Sequence, residues 1–165
     1  MRNTKVIAAF PACGKTYCFD RNEDYIILDS DSSKFSWTYH DGLASKYRNP
    51  EFPKNYIEHI KENIGKVDYI FVSTHEEVIR ALADAGIDFI LVFPKQSLCA
   101  EWVGRCFIRG SGESFCKMLV ENWDTWICQM WDEAICNKRR HYVLSSNEYL
   151  SDIIEDIDKV AYYAK

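Results

Sequence analysis

Ala9-Phe10-Pro11-Ala12-Cys13-Gly14-Lys15-Thr16 sets a tight turn, a lysine and a hydroxyl directly behind the apolar run Val6-Ile7-Ala8-Ala9-Phe10. A buried strand, a turn, Gly-Lys-Thr and a helix start form a layout suited to phosphate. Backbone N–H groups of such a turn point inward, and the helix beginning near Lys15 adds the positive end of its dipole. Lys15 supplies a mobile cation for β- and γ-phosphates, and the Thr16 hydroxyl can ligate Mg²⁺. The spacing predicts a nucleoside triphosphate site with Mg²⁺, and Pro11, Ala12, Cys13, Gly14, Lys15, Thr16 and Tyr17 as the binding residues. The usual pattern, G-x-x-x-x-G-K-[ST], has glycine where Ala9 stands. One methyl group is tolerable there if Ala9 keeps ordinary strand dihedrals. A chance Gly-Lys-Thr at a turn is the competing explanation, and the strand before it and helix after it argue against that.

Other candidates leave the ends of apolar runs. Asp29-Ser30-Asp31 follows Tyr25-Ile26-Ile27-Leu28. Alternate residues at a strand end can project two carboxylates to one side. One carboxylate would then hold a metal-bound water, and the other would orient or deprotonate an attacking hydroxyl. The plainer alternative is that Asp and Ser cap a turn. Ser73-Thr74-His75-Glu76-Glu77 reads as a helix start, with Thr74 as N-cap and Glu77 at the capping-box position. Arg105 and Arg109 stand four apart, so they share a helix face and could clamp triphosphate oxygens. Two arginines on a helix also suit a solvated face. Their place just before Gly110-Ser111-Gly112, a hinge pattern for a closing lid, favours the clamp. Lys138-Arg139-Arg140-His141 reads as a solvated turn.

The elements that must hold these residues are short apolar strands alternating with amphipathic helices. Strands are expected at 6–10, 25–28, 68–74, 87–93 and 142–144. Helices are expected at 15–20, 55–64, 75–85, 97–109, 113–122, 125–136 and after 147, where Ser145-Ser146-Asn147 would cap the last one. The stretch 34–53 reads as irregular and aromatic. Its rings would hold an acceptor by stacking or pack as a flap. Trp123, Trp126 and Trp131 are expected to face the core. Alternation of this kind means parallel β-α units. The predicted architecture is α/β, a three-layer α/β/α sandwich with a five-stranded parallel sheet. Ligands in such folds sit at the carboxyl ends of the strands.

Composition narrows the classes. At 165 residues, 47% of them hydrophobic, the chain is expected to form one domain over 1–165 with a sizeable core. The net charge of −5 gives no general drive toward nucleic acid, though a local basic groove would be compatible with it. No apolar run reaches membrane-spanning length, and the expected location is cytoplasmic. None of the seven cysteines forms a C-x-x-C pair. Cys99 with Cys106, and Cys128 with Cys136, are expected to be buried free thiols. Cys13, beside a helix start, is expected to fill the loop and to be reactive.

These residues together resemble the P-loop kinases of the nucleotide-kinase group, which includes adenylate, shikimate and gluconate kinases. The resemblance rests on the Walker A loop, on Asp29-Ser30-Asp31 and on the Arg105/Arg109 helix. Asp-Ser-Asp is similar to the D-[ST]-D of shikimate-type kinases, which implies that its acids serve Mg²⁺ and an accepting hydroxyl. The arginine helix is similar to the lid of nucleoside monophosphate kinases. Nearly the whole chain also resembles small phage-encoded nucleotide kinases or P-loop ATPases, whose FPGxGK loop and DSDSS-x-FSW stretch are similar to Phe10–Lys15 and Asp29–Trp37. That likeness implies host cytoplasm. Ala9 departs from the pattern, as does Ser73-Thr74 where an Asp usually ends the third strand, leaving Asp29 as the metal-side acid. The implied activity is Mg²⁺-ATP-dependent phosphoryl transfer to a nucleoside monophosphate or related nucleotide, with Lys15, Asp29, Asp31, Arg105 and Arg109 as the catalytic set. A hydroxyl on a small molecule or on a modified base in nucleic acid is the alternative acceptor. A nucleotide-binding module that controls a partner is a third.

Overall fold

A computed structural model describes residues 1–159. The chain is α/β, with one five-stranded parallel sheet in the order β2-β5-β1-β6-β7 and helices on both sides. A separate two-stranded sheet pairs β3 with β4. The chain falls into two compact units. The first is Met1–Ala8 with Phe19–Phe89, and the second is Ala9–Cys18 with the chain from Ile90 onward.

In the first unit, β5 (Tyr69–Val72) runs parallel to β1 (Lys5–Ala9) and β2 (Ile27–Asp29). Val6 lies opposite Ile70, and Ile27 opposite Tyr69. All four residues of β5 are buried. An unbroken apolar run is what a strand covered on both faces needs. Helix α3 (Lys54–Asn63) buries Tyr56, Ile57 and Ile60, and α4 (Glu76–Asp84) buries Val78, Ile79 and Leu82. That three-and-four spacing puts each set on one helix face. The expected capping box at α4 does not form: His75 is the N-cap and makes no side-chain cap bond. Glu77 pairs with Arg48 instead.

The stretch 34–53 is more regular than its sequence suggested. A short helix α2 (Ser33–Ser36) leads into a hairpin of β3 (Trp37–His40) and β4 (Leu43–Arg48). Asp41 and Gly42 close it with φ of 51° and 79°. A two-residue turn with both central residues left-handed matches the twist of the strands it joins, and Asp-Gly is a favoured pair for it. The Arg48 guanidinium lies over Trp37 and Phe52, at 5.3 and 5.2 Å from the ring centroids. Tyr39, Leu43 and Tyr47 are exposed.

The second unit holds β6 (Phe89–Pro94) beside β7 (His141–Leu144), parallel, with Leu91 opposite His141. Helix α1 (Lys15–Arg21) follows the loop after β1. A 3₁₀ turn (Gln96–Leu98) precedes α5 (Cys99–Ile108). Residues 113–135 form one helix, α6 (Glu113–Ile135), where two were expected. Asn122-Trp123-Asp124 contains no breaker, and the buried face Leu119, Trp123, Ile127, Met130 runs straight through it. Trp123 packs edge-on against Phe10 with centroids 5.7 Å apart, and its Nε1–H donates to the Gln96 carbonyl at 2.8 Å. Trp131 departs from the expected core position. It is 37% exposed, with one edge on Phe93. The last helix, α7 (Leu150–Ile153), is capped at Tyr149 and not by Ser145-Ser146-Asn147. Those residues form a turn closed by the Glu148 N–H on the Ser145 carbonyl.

Cys106 is buried and Cys99 half-buried, but Cys128 and Cys136 are exposed, contrary to expectation. Both fall off the buried face of α6. No helix among the described residues is long and apolar enough to cross a membrane.

Candidate functional site

The loop after β1 is built from both sides of the backbone. Phe10 N–H donates to the Val92 carbonyl at 2.8 Å, holding the loop's entry to β6. Ala12 and Gly14 then take left-handed φ of 61° and 89°. A side chain at position 14 would place its Cβ 3.2 Å from the Tyr149 ring, so glycine is needed there for conformation and for space. Three successive carbonyls accept bonds from outside the loop. Pro11 O takes Trp102 Nε1–H at 2.9 Å, Ala12 O takes Arg105 Nη1–H at 3.4 Å, and Cys13 O takes Leu150 N–H at 2.9 Å. The acceptor side of the turn is thus occupied by the fold. Ala9 is fully buried at the end of β1, outside the left-handed residues, as the sequence required.

Of the expected binding residues, Ala12, Gly14, Lys15, Thr16 and Tyr17 line one cavity of about 320 Å³. Arg105, Ile108, Arg109 and Tyr149 complete its wall. Lys15 Nζ donates to the Ala9 carbonyl at 2.7 Å. Pro11 and Cys13 shape the loop without facing the cavity. Cys13 is fully buried, its thiol directed at the Val92 carbonyl 3.9 Å away. Burial pushes that thiol up to about 12, against the opposing pull of Lys15, Arg105 and Arg109. The expected reactivity is therefore corrected: the thiol is neutral and inaccessible.

The two arginines differ. Arg109 is exposed, donates Nε–H to Ser111 Oγ, and has its guanidinium 5.7 Å from the Phe115 ring centroid. The Arg105 side chain is only 8% exposed. Its guanidinium lies 3.8 Å from the Trp102 ring centroid and 3.9 Å from that of Tyr149. Its Nη2 donates to Glu101 Oε1 at 2.6 Å and to the Glu148 carbonyl at 3.0 Å. Arg105 thus holds the loop after β1 and the 145–149 turn together. Glu101 anchors the same turn through Asn147 N–H at 2.9 Å and Ser146 Oγ–H at 2.8 Å. Burial pushes the Glu101 carboxyl up, but the bonds from Asn147, Ser146 and Arg105 outweigh it and hold the group below the ordinary value.

The acids lie in the first unit. Asp29 ends β2, opposite Phe71. Asp31 is exposed, and its Oδ1 accepts the Ser33 N–H at 2.9 Å, the turn-capping bond that the plainer reading expected. Between them, Ser30 is buried, and its carbonyl accepts the Tyr56 hydroxyl at 2.7 Å. Burial of Tyr56 pushes its hydroxyl above its ordinary range. Ser32 and Ser73 share a hydrogen bond at 3.0 Å. Among the described residues no cluster of three or more His, Cys, Asp or Glu side chains could hold a metal by itself.

Sequence reasoning missed Trp102, Glu101 and Tyr149. No motif marks them. Tyr149 does follow β7 by five residues, and the rule that ligands sit beyond strand carboxyl ends would have pointed to that turn. Compared with known proteins, the chain matches no family model and no curated protein.

Proposed function

We propose that the chain is a P-loop phosphotransferase of the nucleotide-kinase kind. In this reading it binds Mg²⁺-ATP at Ala12–Tyr17 and transfers the terminal phosphoryl group to a nucleoside monophosphate or related nucleotide. The observation that carries the reading is the convergence of Lys15, Arg109 and the glycine turn on one cavity. Phosphoryl transfer asks a protein for little beyond position and positive charge, because negative charge spreads over the phosphate oxygens in the transition state. Lys15 meets the β- and γ-phosphates. Arg109, exposed at the end of α5, is the cation free of burial that closes on them. Arg105 serves by holding the loop. Mg²⁺ takes one or two protein oxygens and fills its shell with water and phosphate. The Thr16 hydroxyl fits that need. The bound metal would neutralise developing phosphate charge.

A second reading has a specific observation behind it. The β3–β4 hairpin exposes Tyr39 and Tyr47 beside Lys46 and Arg48. Exposed rings interleaved with cations suit stacked bases and a phosphate backbone. The acceptor would then be a hydroxyl carried on a base in nucleic acid, with Asp31 as its general base.

The test is ADP production from Mg²⁺-ATP with nucleoside monophosphates, hydroxylated small molecules and oligonucleotides bearing a base hydroxyl. Asp31→Asn keeps the acceptor oxygen that caps the turn and removes the base. With a hydroxyl acceptor, turnover falls by about 10²–10⁴-fold. With a phosphate acceptor, already ionised, KM rises more than kcat falls. Tight ATP binding with no turnover on any acceptor would leave a nucleotide-controlled binding module.

A further inference from the structure

Trp102, Arg105 and Tyr149 stack beside the phosphate loop, with the guanidinium 3.8 and 3.9 Å from the two ring centroids. Tyr149 is 39% exposed, and it lines the cavity with Gly14, Lys15 and Thr16. A nucleotide whose phosphates occupy that loop has its base about one ribose away. We propose that Tyr149 is the platform on which the base of the bound nucleotide stacks, and that the base is held by its face and not read by its edge. The inference rests on the triphosphate reading given above.

Two sets of observations support it. The ring is already ordered. Tyr149 N–H donates to Asp152 Oδ2 at 2.8 Å, its carbonyl accepts the Asp152 N–H at 3.0 Å, and a buried guanidinium backs the ring. A platform fixed before binding costs little ordering entropy. Several donors of this turn are also already used by the fold. Ser145 N–H goes to Glu148 Oε2, Asn147 N–H to Glu101 Oε1, Glu148 N–H to the Ser145 carbonyl, and Leu150 N–H to the Cys13 carbonyl. The Asn147 side-chain amide donates to Ser146 Oγ. The Glu148 carbonyl is taken by Arg105. What the turn offers is a π-face backed by a cation, and every base has a face to stack on it.

The experiment is calorimetry with Mg²⁺ and ATP, GTP, CTP or inorganic tripolyphosphate, on the wild type and on Tyr149→Phe, Tyr149→Leu and Tyr149→Ala. Tyr149→Leu keeps apolar bulk over Gly14 without the π-face, which guards against a fold failure of the alanine variant. The expected wild-type result is ATP and GTP within about tenfold of each other, both tighter than tripolyphosphate. Tyr149→Phe preserves this. Tyr149→Leu and Tyr149→Ala weaken ATP and GTP by about fivefold to a hundredfold, the scale of one base-aromatic stack, and leave tripolyphosphate unchanged. Equal loss for tripolyphosphate and ATP would overturn the proposal, because the ring would then only pack the loop. A preference for ATP over GTP beyond about a hundredfold would overturn it too, by showing edge recognition. A wild type that binds none of the four refutes the triphosphate reading itself, and is distinct from both.

Discussion

Gly14→Ala should destabilise the protein in two separable ways. The residue has φ of +89°, and a left-handed conformation costs a residue with a Cβ about 1–2 kcal/mol. The new Cβ would also sit 3.2 Å from Tyr149 Cδ1, so the ring must give by a few tenths of an ångström. That ring is held by the buried Arg105 guanidinium, 3.9 Å from its centroid, and by the Asp152 bonds. Overpacking against a held neighbour adds about 1–3 kcal/mol, for a total of about 2–5 kcal/mol. Gly42 provides the control. Its φ is +79°, and nothing lies within 4 Å of the Cβ position, so Gly42→Ala should lose only the conformational part. Urea unfolding of both variants, with unchanged slope, measures the difference directly. A cycle with Tyr149→Ala isolates the contact. The double variant Gly14→Ala/Tyr149→Ala should be less destabilised than the sum of the singles by about 1 kcal/mol or more. Equal losses at positions 14 and 42, or additive losses in the cycle, would refute the packing of Tyr149 over Gly14.

Ala9→Gly should cost about 1–2 kcal/mol by urea unfolding, because it removes a fully buried methyl from a strand end and adds backbone entropy, whereas an unchanged midpoint would place Ala9 outside the core. Arg105→Lys should cost about 1–3 kcal/mol, since an ammonium cannot reproduce the fork that meets Glu101, Ala12 O and Glu148 O; Arg109→Ala, on an exposed helix end, should leave the unfolding midpoint near wild type. Thiol labelling of the native protein at pH 8 should modify Cys128 and Cys136 rapidly and reach Cys13, Cys18, Cys106 and Cys116 only on unfolding. Cys13 is raised from 9.0 to about 12, so its neutral form is favoured by folding. That contribution is fully present below pH 9 and is lost as pH rises from 9 toward 12, which Cys13→Ala should abolish in a pH series of unfolding midpoints.

Much of the fold was legible because its signals are local. The apolar runs at Val6–Ala9, Tyr69–Val72 and Phe89–Phe93 are strands, and the faces of α3 and α4 follow the helical period. The hairpin was not legible although Asp41-Gly42 carried a turn signal, because β4 is almost wholly exposed and so has no apolar face to mark it. Joining 113–122 to 125–136 needed the buried face to be followed through Trp123. At the site, Gly14-Lys15-Thr16 was legible as a motif, and Arg105 and Arg109, four apart, both line the cavity beside it. Their division of labour was not legible, because it depends on Trp102, Tyr149 and Glu148, which are brought together by tertiary packing alone. Cys13 was misjudged for the same reason. Position beside a helix start argues for a thiolate, and only the fold shows that burial wins.

The proposed function requires the Gly14-Lys15-Thr16 loop to be a nucleotide site. Titration calorimetry of Mg²⁺-ATP against the wild type and Lys15→Ala, with unfolding midpoints measured alongside, tests it most directly. The expected result is saturable one-site binding by the wild type, and binding abolished or greatly weakened in a Lys15→Ala variant that still unfolds cooperatively near the wild-type midpoint. Equal affinity in the two proteins, or no binding by the wild type, would contradict it.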